Sequence, residues 1–142
     1  MRTGEFRSSP HKYGLPPEQI PKELGALIKE YEVKKKVQLA DILDFHVWFE
    51  RIHPFEDGNG RLGRLIMMKE CLCHQIVPFI YDDKHRGKYN RGIQEWDTNP
   101  DLLMAETERA QEHLRNQMDT CRLLEYCRPE EGRGARKHHA RK

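Results

Sequence analysis

A twelve-residue run, His53-Pro54-Phe55-Glu56-Asp57-Gly58-Asn59-Gly60-Arg61-Leu62-Gly63-Arg64, dictates how the middle of this chain is built. Before it, Leu39, Ile42, Leu43, Trp48, Phe49 and Ile52 recur at helical spacing and predict an amphipathic helix over residues 38–52. The residue preceding a proline is driven out of the right-handed helical region, so Pro54 stops that helix near His53. After the run, Leu62, Leu65, Ile66, Leu72 and Ile76 open a second helical pattern at about Arg61. The plan is a helix, a tight glycine-containing loop and a second helix, with the loop feeding directly into a helix N-terminus.

Such a terminus carries unpaired N–H groups and a partial positive charge, and so attracts anions. Gly58 and Gly60 lack a Cβ and are free to take positive φ, which turns consecutive N–H groups toward one point. Arg61 and Arg64 are three residues apart and share a helix face, from which both guanidiniums can fork onto phosphate oxygens. Asp57 is a hard oxygen ligand of the kind Mg²⁺ takes alongside phosphates and water. His53 titrates near neutrality and suits a general base. Together these are the parts needed to hold a nucleotide's phosphates and to direct an attack on one of them.

The run resembles the Fic motif, His-any-Phe-any-Asp/Glu-Gly-Asn-Gly-Arg-any-any-Arg, at every fixed position. The likeness extends back through Phe45-His46-Val47-Trp48-Phe49-Glu50-Arg51-Ile52 and forward through Leu65-Ile66-Met67-Met68-Lys69-Glu70-Cys71-Leu72. The resemblance implies a Fic-type, all-α domain over residues 1–128 with the catalytic loop between two central helices and at most a small β-hairpin. It implies a nucleotidyltransferase that moves AMP from ATP to a Ser, Thr or Tyr hydroxyl of a protein, itself included. His53 would be the base, and Asp57 would hold Mg²⁺ between the α- and β-phosphates. Gly58, Asn59 and Gly60 would form the anion hole, Asn59 adding its side-chain amide. Arg61 and Arg64 would clamp the β- and γ-phosphates, and Phe55 would anchor the loop in the core.

Two further segments take a role from the same likeness. Residues 2–13 resemble the family's flap, a hairpin that pairs with an extended target segment, which would put Thr3, Gly4, Glu5 and Phe6 against the protein substrate; an ordinary ordered loop is the other reading. Lys88-Tyr89-Asn90 falls where relatives hold adenine, although an aromatic on a helix face is as readily a core residue. Many relatives carry an inhibitory helix, Ser/Thr-any-any-any-Glu-Gly/Asn, whose glutamate pairs with the second motif arginine. No such pattern occurs in these 142 residues. That leaves either a chain lacking the inhibitory segment or one regulated by a separate inhibitor protein, and with Arg64 unoccupied it predicts activity without a prior activation step. The same fold transferring UMP or a phosphate, and a non-catalytic nucleotide-binding module, are the alternative functions.

The rest of the chain reads as helices and connections. Pro16-Pro17 opens a helix over 18–31 with Ile20, Leu24, Leu27 and Ile28 as its apolar stripe. Residues 33–37 form a lysine-rich connector, and 77–81 a short buried one. Helices are predicted over 84–96 and 102–126, the second announced by Asn99-Pro100-Asp101. Residues 129–142 form a basic tail with Arg133, Arg136, Lys137, Arg141 and Lys142, expected to be solvated rather than to bind nucleic acid. His46, seven residues before His53, is expected to be a hydrogen-bonded core histidine. Cys71, Cys73 and His74 are expected to be structural, because positions two apart on a helix do not face each other and no second pair completes a metal site.

Charge and hydropathy exclude other classes. A net charge of +2 gives no field for nucleic acid, and no apolar run approaches membrane-spanning length. The first residues carry no signal-peptide pattern, and four cysteines without a disulfide framework point to reduced thiols and a cytoplasmic setting.

Overall fold

The computed structural model describes residues 14–121. Five α-helices follow in order: α1 (Ile20–Glu32), α2 (Leu39–Ile52), α3 (Asn59–Cys73), α4 (Arg86–Gln94) and α5 (Pro100–Thr120), with a 3-10 turn at Asp83–His85 leading into α4. No strand occurs among the described residues, and the all-α expectation is met. The flap segment with Thr3, Gly4, Glu5 and Phe6, the end of the helix predicted to reach residue 126, and the basic tail lie outside the described residues.

The core is assembled around α2. Ile42, Leu43 and Val47 pack with Met67 and Cys71 of α3, Phe79 of the connection, Tyr89 of α4, Trp96, and Leu103 and Ala110 of α5. Backbone and side-chain bonds fix the frame. Asp41 accepts from the Gln38 N–H at 2.8 Å and caps α2. The Trp96 indole donates to Asp44 at 2.8 Å, and Arg51 forks onto Asp97 with contacts of 3.0 and 2.8 Å. These ties hold α2, which leads into His53, to the segment between α4 and α5. Leu15 donates its N–H to the Ile52 carbonyl at 3.4 Å, so the chain enters α1 beside the start of the loop.

The pattern-based core needs correction in α3. Leu62, Leu65 and Leu72, predicted to face inward, are exposed, Leu65 and Leu72 each by 62%. The buried stripe is Asn59, Gly63, Met67 and Cys71, a strict four-residue repeat. Two of its members are not hydrophobic, so an apolar-residue pattern picks the wrong phase. Likewise Trp48 lies outside the core, at 44% exposure under the Arg51 guanidinium 4.9 Å from its ring, while Val47 is fully buried. The connection expected to be buried over 77–81 buries Phe79 only; Ile80 is exposed. Helix α3 begins at Asn59, earlier than the apolar pattern indicated, and α4 is shorter at both ends than predicted.

Candidate active site

The loop between α2 and α3 is held by its own residues. Pro54 bars right-handed geometry at His53, and His53 turns left-handed at φ 52° and ψ 61° while its N–H still closes α2 on the Phe49 carbonyl at 3.0 Å. A left-handed non-glycine residue carries strain of order 1–3 kcal/mol and persists only where its surroundings over-determine it. Here Pro54 is fully buried and Ile52 nearly so. His53 itself is half-buried.

Asn59 supplies the second fixture. It is 2% exposed, accepts from the Phe55 N–H at 2.9 Å and returns its amide to the Phe55 carbonyl at 2.7 Å. One N–H of the side-chain amide expected in the anion hole is thus bonded to the loop backbone. Phe55 is half-buried and outside the core cluster, so the loop is anchored by Pro54 and by this reciprocal pair rather than by the phenyl ring.

At the start of α3, Gly58 is the N-cap with φ 81°, a conformation that side chains with a Cβ rarely adopt. Gly60 does not share it: Gly58 is the one described glycine with positive φ, and Gly60 sits in the first helical turn. The bare Gly60 Cα serves packing instead. A Cβ there would lie 3.1 Å from Arg64 Nη1 and 3.6 Å from Glu50 Oε1. The first helical bond runs from the Leu62 N–H to the Gly58 carbonyl at 2.9 Å, which leaves the N–H groups of Asn59, Gly60 and Arg61 outside the helical ladder. No side chain caps this end and its first turn holds no acid. A helix end left this way, with two arginines in its first turns, attracts anions.

Arg61 and Arg64 both line a groove of about 300 Å³, together with Leu65, Met68, Phe79 and Ile80 among others. Arg61 pairs with Asp57 at 3.2 Å, both side chains being largely exposed. Such a pair contributes little to stability and opens readily. Asp57 is therefore an accessible carboxylate at the mouth of the helix end. Among the described residues no three His, Cys, Asp or Glu side chains gather as a metal cage. This donor set fits a cation that binds through one carboxylate together with its ligand's phosphates.

Beneath the loop lies a buried polar layer that motif reading misses. His46 is 1% exposed and hydrogen-bonds the Tyr89 hydroxyl at 2.6 Å. Burial, then the charge of Arg64, push its imidazole down to about 3, so it is neutral. This is the core histidine expected. Tyr89 is 6% exposed and belongs to the core; burial, with Glu50 adding, raises its hydroxyl well above the ordinary tyrosine range. Its ring lies against those of Tyr81 and His46, with centroids 4.5 and 5.9 Å away, which favours the core reading over contact with adenine. Gly63 is the missed residue with most consequence: a Cβ there would lie 2.8 Å from the His46 ring. The available signal was a glycine in mid-helix, costly unless packing requires it. Cys71 is buried and its thiol pushed up to about 11, chiefly by desolvation, while Cys73 is exposed and both are free, as expected of structural thiols.

Comparison with known proteins meets this geometry at the same place. Residues 2–71, which include the whole loop, α2 and all but the last two residues of α3, match the model of the Fic/DOC family. The chain carries a Fic/DOC domain. It is similar to a probable protein adenylyltransferase of Aquifex aeolicus, 28% identical over 81 residues that cover 56% of this chain and 25% of that protein. It is also similar to proteins named protein adenylyltransferase Fic from Aedes aegypti, at 34%, and Culex quinquefasciatus, at 31%, each over 100 residues covering 64% of this chain and 20% of the relative. The chain thus spans between a fifth and a quarter of the length of these relatives. None of the described helices of the Fic/DOC domain is long and apolar enough to cross a membrane.

Proposed function

We propose that this Fic/DOC domain is a protein adenylyltransferase, with ATP as the donor and a Ser, Thr or Tyr hydroxyl of a protein as the acceptor. The observation that carries the reading is the uncapped N-terminus of α3, flanked by Arg61 and Arg64 and entered directly from His53. Phosphates seated there would receive the N–H groups of Asn59, Gly60 and Arg61 and the two guanidiniums. Arg64 would take the terminal phosphates. The names of the three relatives support nucleotidyl transfer over other uses of such a cradle.

In the proposed reaction His53 accepts the proton of the target hydroxyl. The freed oxygen pair forms a bond to the α-phosphorus, in line with the bond from that phosphorus to the bridging oxygen, which breaks and leaves with its electrons as pyrophosphate. Asp57 would hold Mg²⁺, which neutralises charge on the phosphates when bound. The left-handed turn at His53 and the Asn59–Phe55 pair fix the loop before the nucleotide arrives, so little ordering remains to be done on binding.

The test is incubation with ATP and a hydroxyl-bearing acceptor, the chain itself included, followed by mass analysis of peptides. The account expects a peptide carrying one AMP, and a loss of roughly two to four orders of magnitude in rate for His53→Ala with ATP binding retained. Modification by His53→Ala at the wild-type rate would remove His53 from the mechanism.

A further inference from the structure

We infer that Glu50 is a positioning residue for Arg64: its buried carboxylate receives one edge of the guanidinium while the other edge engages the nucleotide's terminal phosphate. The inference rests on the reading of this loop as a nucleotide-phosphate site.

Glu50 lies on α2 one turn before His53, with its side chain 18% exposed. Its Oε1 is buried and has no hydrogen-bond partner. A buried acceptor in that state needs a donor. The same oxygen reaches the bare backbone of α3, 3.6 Å from where a Gly60 Cβ would stand and 3.1 Å from that of Gly63. Arg64 Nη1 reaches the first of these points too, at 3.1 Å, so carboxylate and guanidinium both border the bare Gly60 Cα without yet bonding each other, the guanidinium being held beside the Tyr89 hydroxyl.

Two other buried nitrogens, His46 Nδ1 and Arg51 Nε, also lack a partner, and neither bonds Oε1. His46 Nε2 is 3.9 Å from Oε1, but it is spent on the Tyr89 hydroxyl and the ring is neutral. Arg51 forks onto Asp97, and Arg61 pairs with Asp57 at the surface. Desolvation raises the Glu50 carboxyl and the Arg64 charge opposes it, which agrees with Arg64 as the cation in reach. A guanidinium has five donors on a planar fork and can serve a carboxylate and a phosphate at once. The glycines at 60 and 63 are then what allows a carboxylate on one helix to reach an arginine on the next.

The experiment measures ATP and AMP affinity by calorimetry on the full chain, for wild type, Glu50→Gln, Arg64→Ala and the double variant, with melting temperatures alongside. Glu50→Gln should melt at or above wild type, since a buried charge is removed. Its ATP affinity should fall about five- to tenfold, of the order of one charge-assisted contact, while AMP, which lacks the terminal phosphates, binds as before. The double variant should bind ATP no more weakly than Arg64→Ala alone, because Glu50 acts through Arg64. If Glu50→Gln does not fold, Glu50→Met, which keeps the volume, takes its place with the same expectations. Unchanged or tighter ATP binding by the Glu50 variant, or losses that simply add, would overturn the role of Glu50 and leave the phosphate site standing. A wild-type chain that binds no ATP would refute the phosphate-site reading and this inference with it.

Discussion

Gly63→Ala adds one methyl group between α2 and α3. The new Cβ would stand 2.8 Å from both Cε1 and Nδ1 of His46 and 3.1 Å from Glu50 Oε1. Carbon atoms in contact sit about 3.5–4.0 Å apart, so the overlap with the ring is roughly 0.7 Å or more. The ring has little room to move, being fully buried with its Nε2 on Tyr89 at 2.6 Å. Overpacking of this kind costs about 1–3 kcal/mol. Replacing a mid-helix glycine by alanine returns about 0.5–1 kcal/mol. The net expectation is a loss of about 1–2 kcal/mol, or several degrees in Tm, a kcal/mol being worth roughly 2–4 °C in a chain of about 150 residues. Gly25→Ala is the control: in α1 no atom lies within 4 Å of its Cβ, so the propensity gain should appear alone and Tm should rise. Thermal melts of both variants decide the matter. If Gly63→Ala rises with Gly25→Ala, His46 yields easily and the packing argument for this glycine is wrong.

Other perturbations separate the fixtures of the site. Asn59→Ala strips both bonds from Phe55 and should destabilise the chain by about 2 kcal/mol, read by urea titration, because a part-buried N–H and carbonyl lose their partners. Acidification should weaken the fold through His46. Its folded-state value, about 3, lies below the ordinary 6.5, so between the two the unfolded chain holds the extra proton and stability falls as pH drops, by up to about 1.4 kcal/mol per pH unit. Glu50, raised by burial, runs the other way and offsets part of that fall as its carboxylate protonates. Denaturant titrations at stepped pH should therefore show a smaller loss from pH 6.5 downward in His46→Gln than in wild type. Asp57→Ala breaks only a surface pair, so Tm should stay where it is while transfer and the Mg²⁺ dependence of ATP binding disappear. An Asp57→Ala chain whose ATP affinity still rises with Mg²⁺ would leave the carboxylate only its surface pair with Arg61.

The parts of this fold that were legible in the sequence were those with a local cause. Pro54 ends α2 through a steric rule confined to its neighbour, and Asn99-Pro100 opens α5, with Asn99 as its N-cap. The twelve-residue run placed the loop between α2 and α3 for the same reason. What was not legible depended on another helix. The inward face of α3 is set by Asn59 and Gly63, and a glycine looks like an absence of signal until the His46 ring against it is known. Glu50 reads as an ordinary surface acid at the end of an amphipathic helix; only the approach of α3 buries it. The reciprocal bonding of Asn59 to Phe55 was equally invisible, since residue type tells which bonds a side chain can make but not which neighbour takes them.

The central claim is that this loop directs attack at the α-phosphorus of ATP, and the most direct measurement compares two labels on one sample. Aliquots of the chain with its acceptor receive ATP labelled at the α-phosphate or at the γ-phosphate, and label retained on protein is counted. The account predicts retention of the α-label, none of the γ-label, and loss of retention in His53→Ala. Retention of the γ-label with none of the α-label would contradict it and make the domain a phosphate-transferring enzyme.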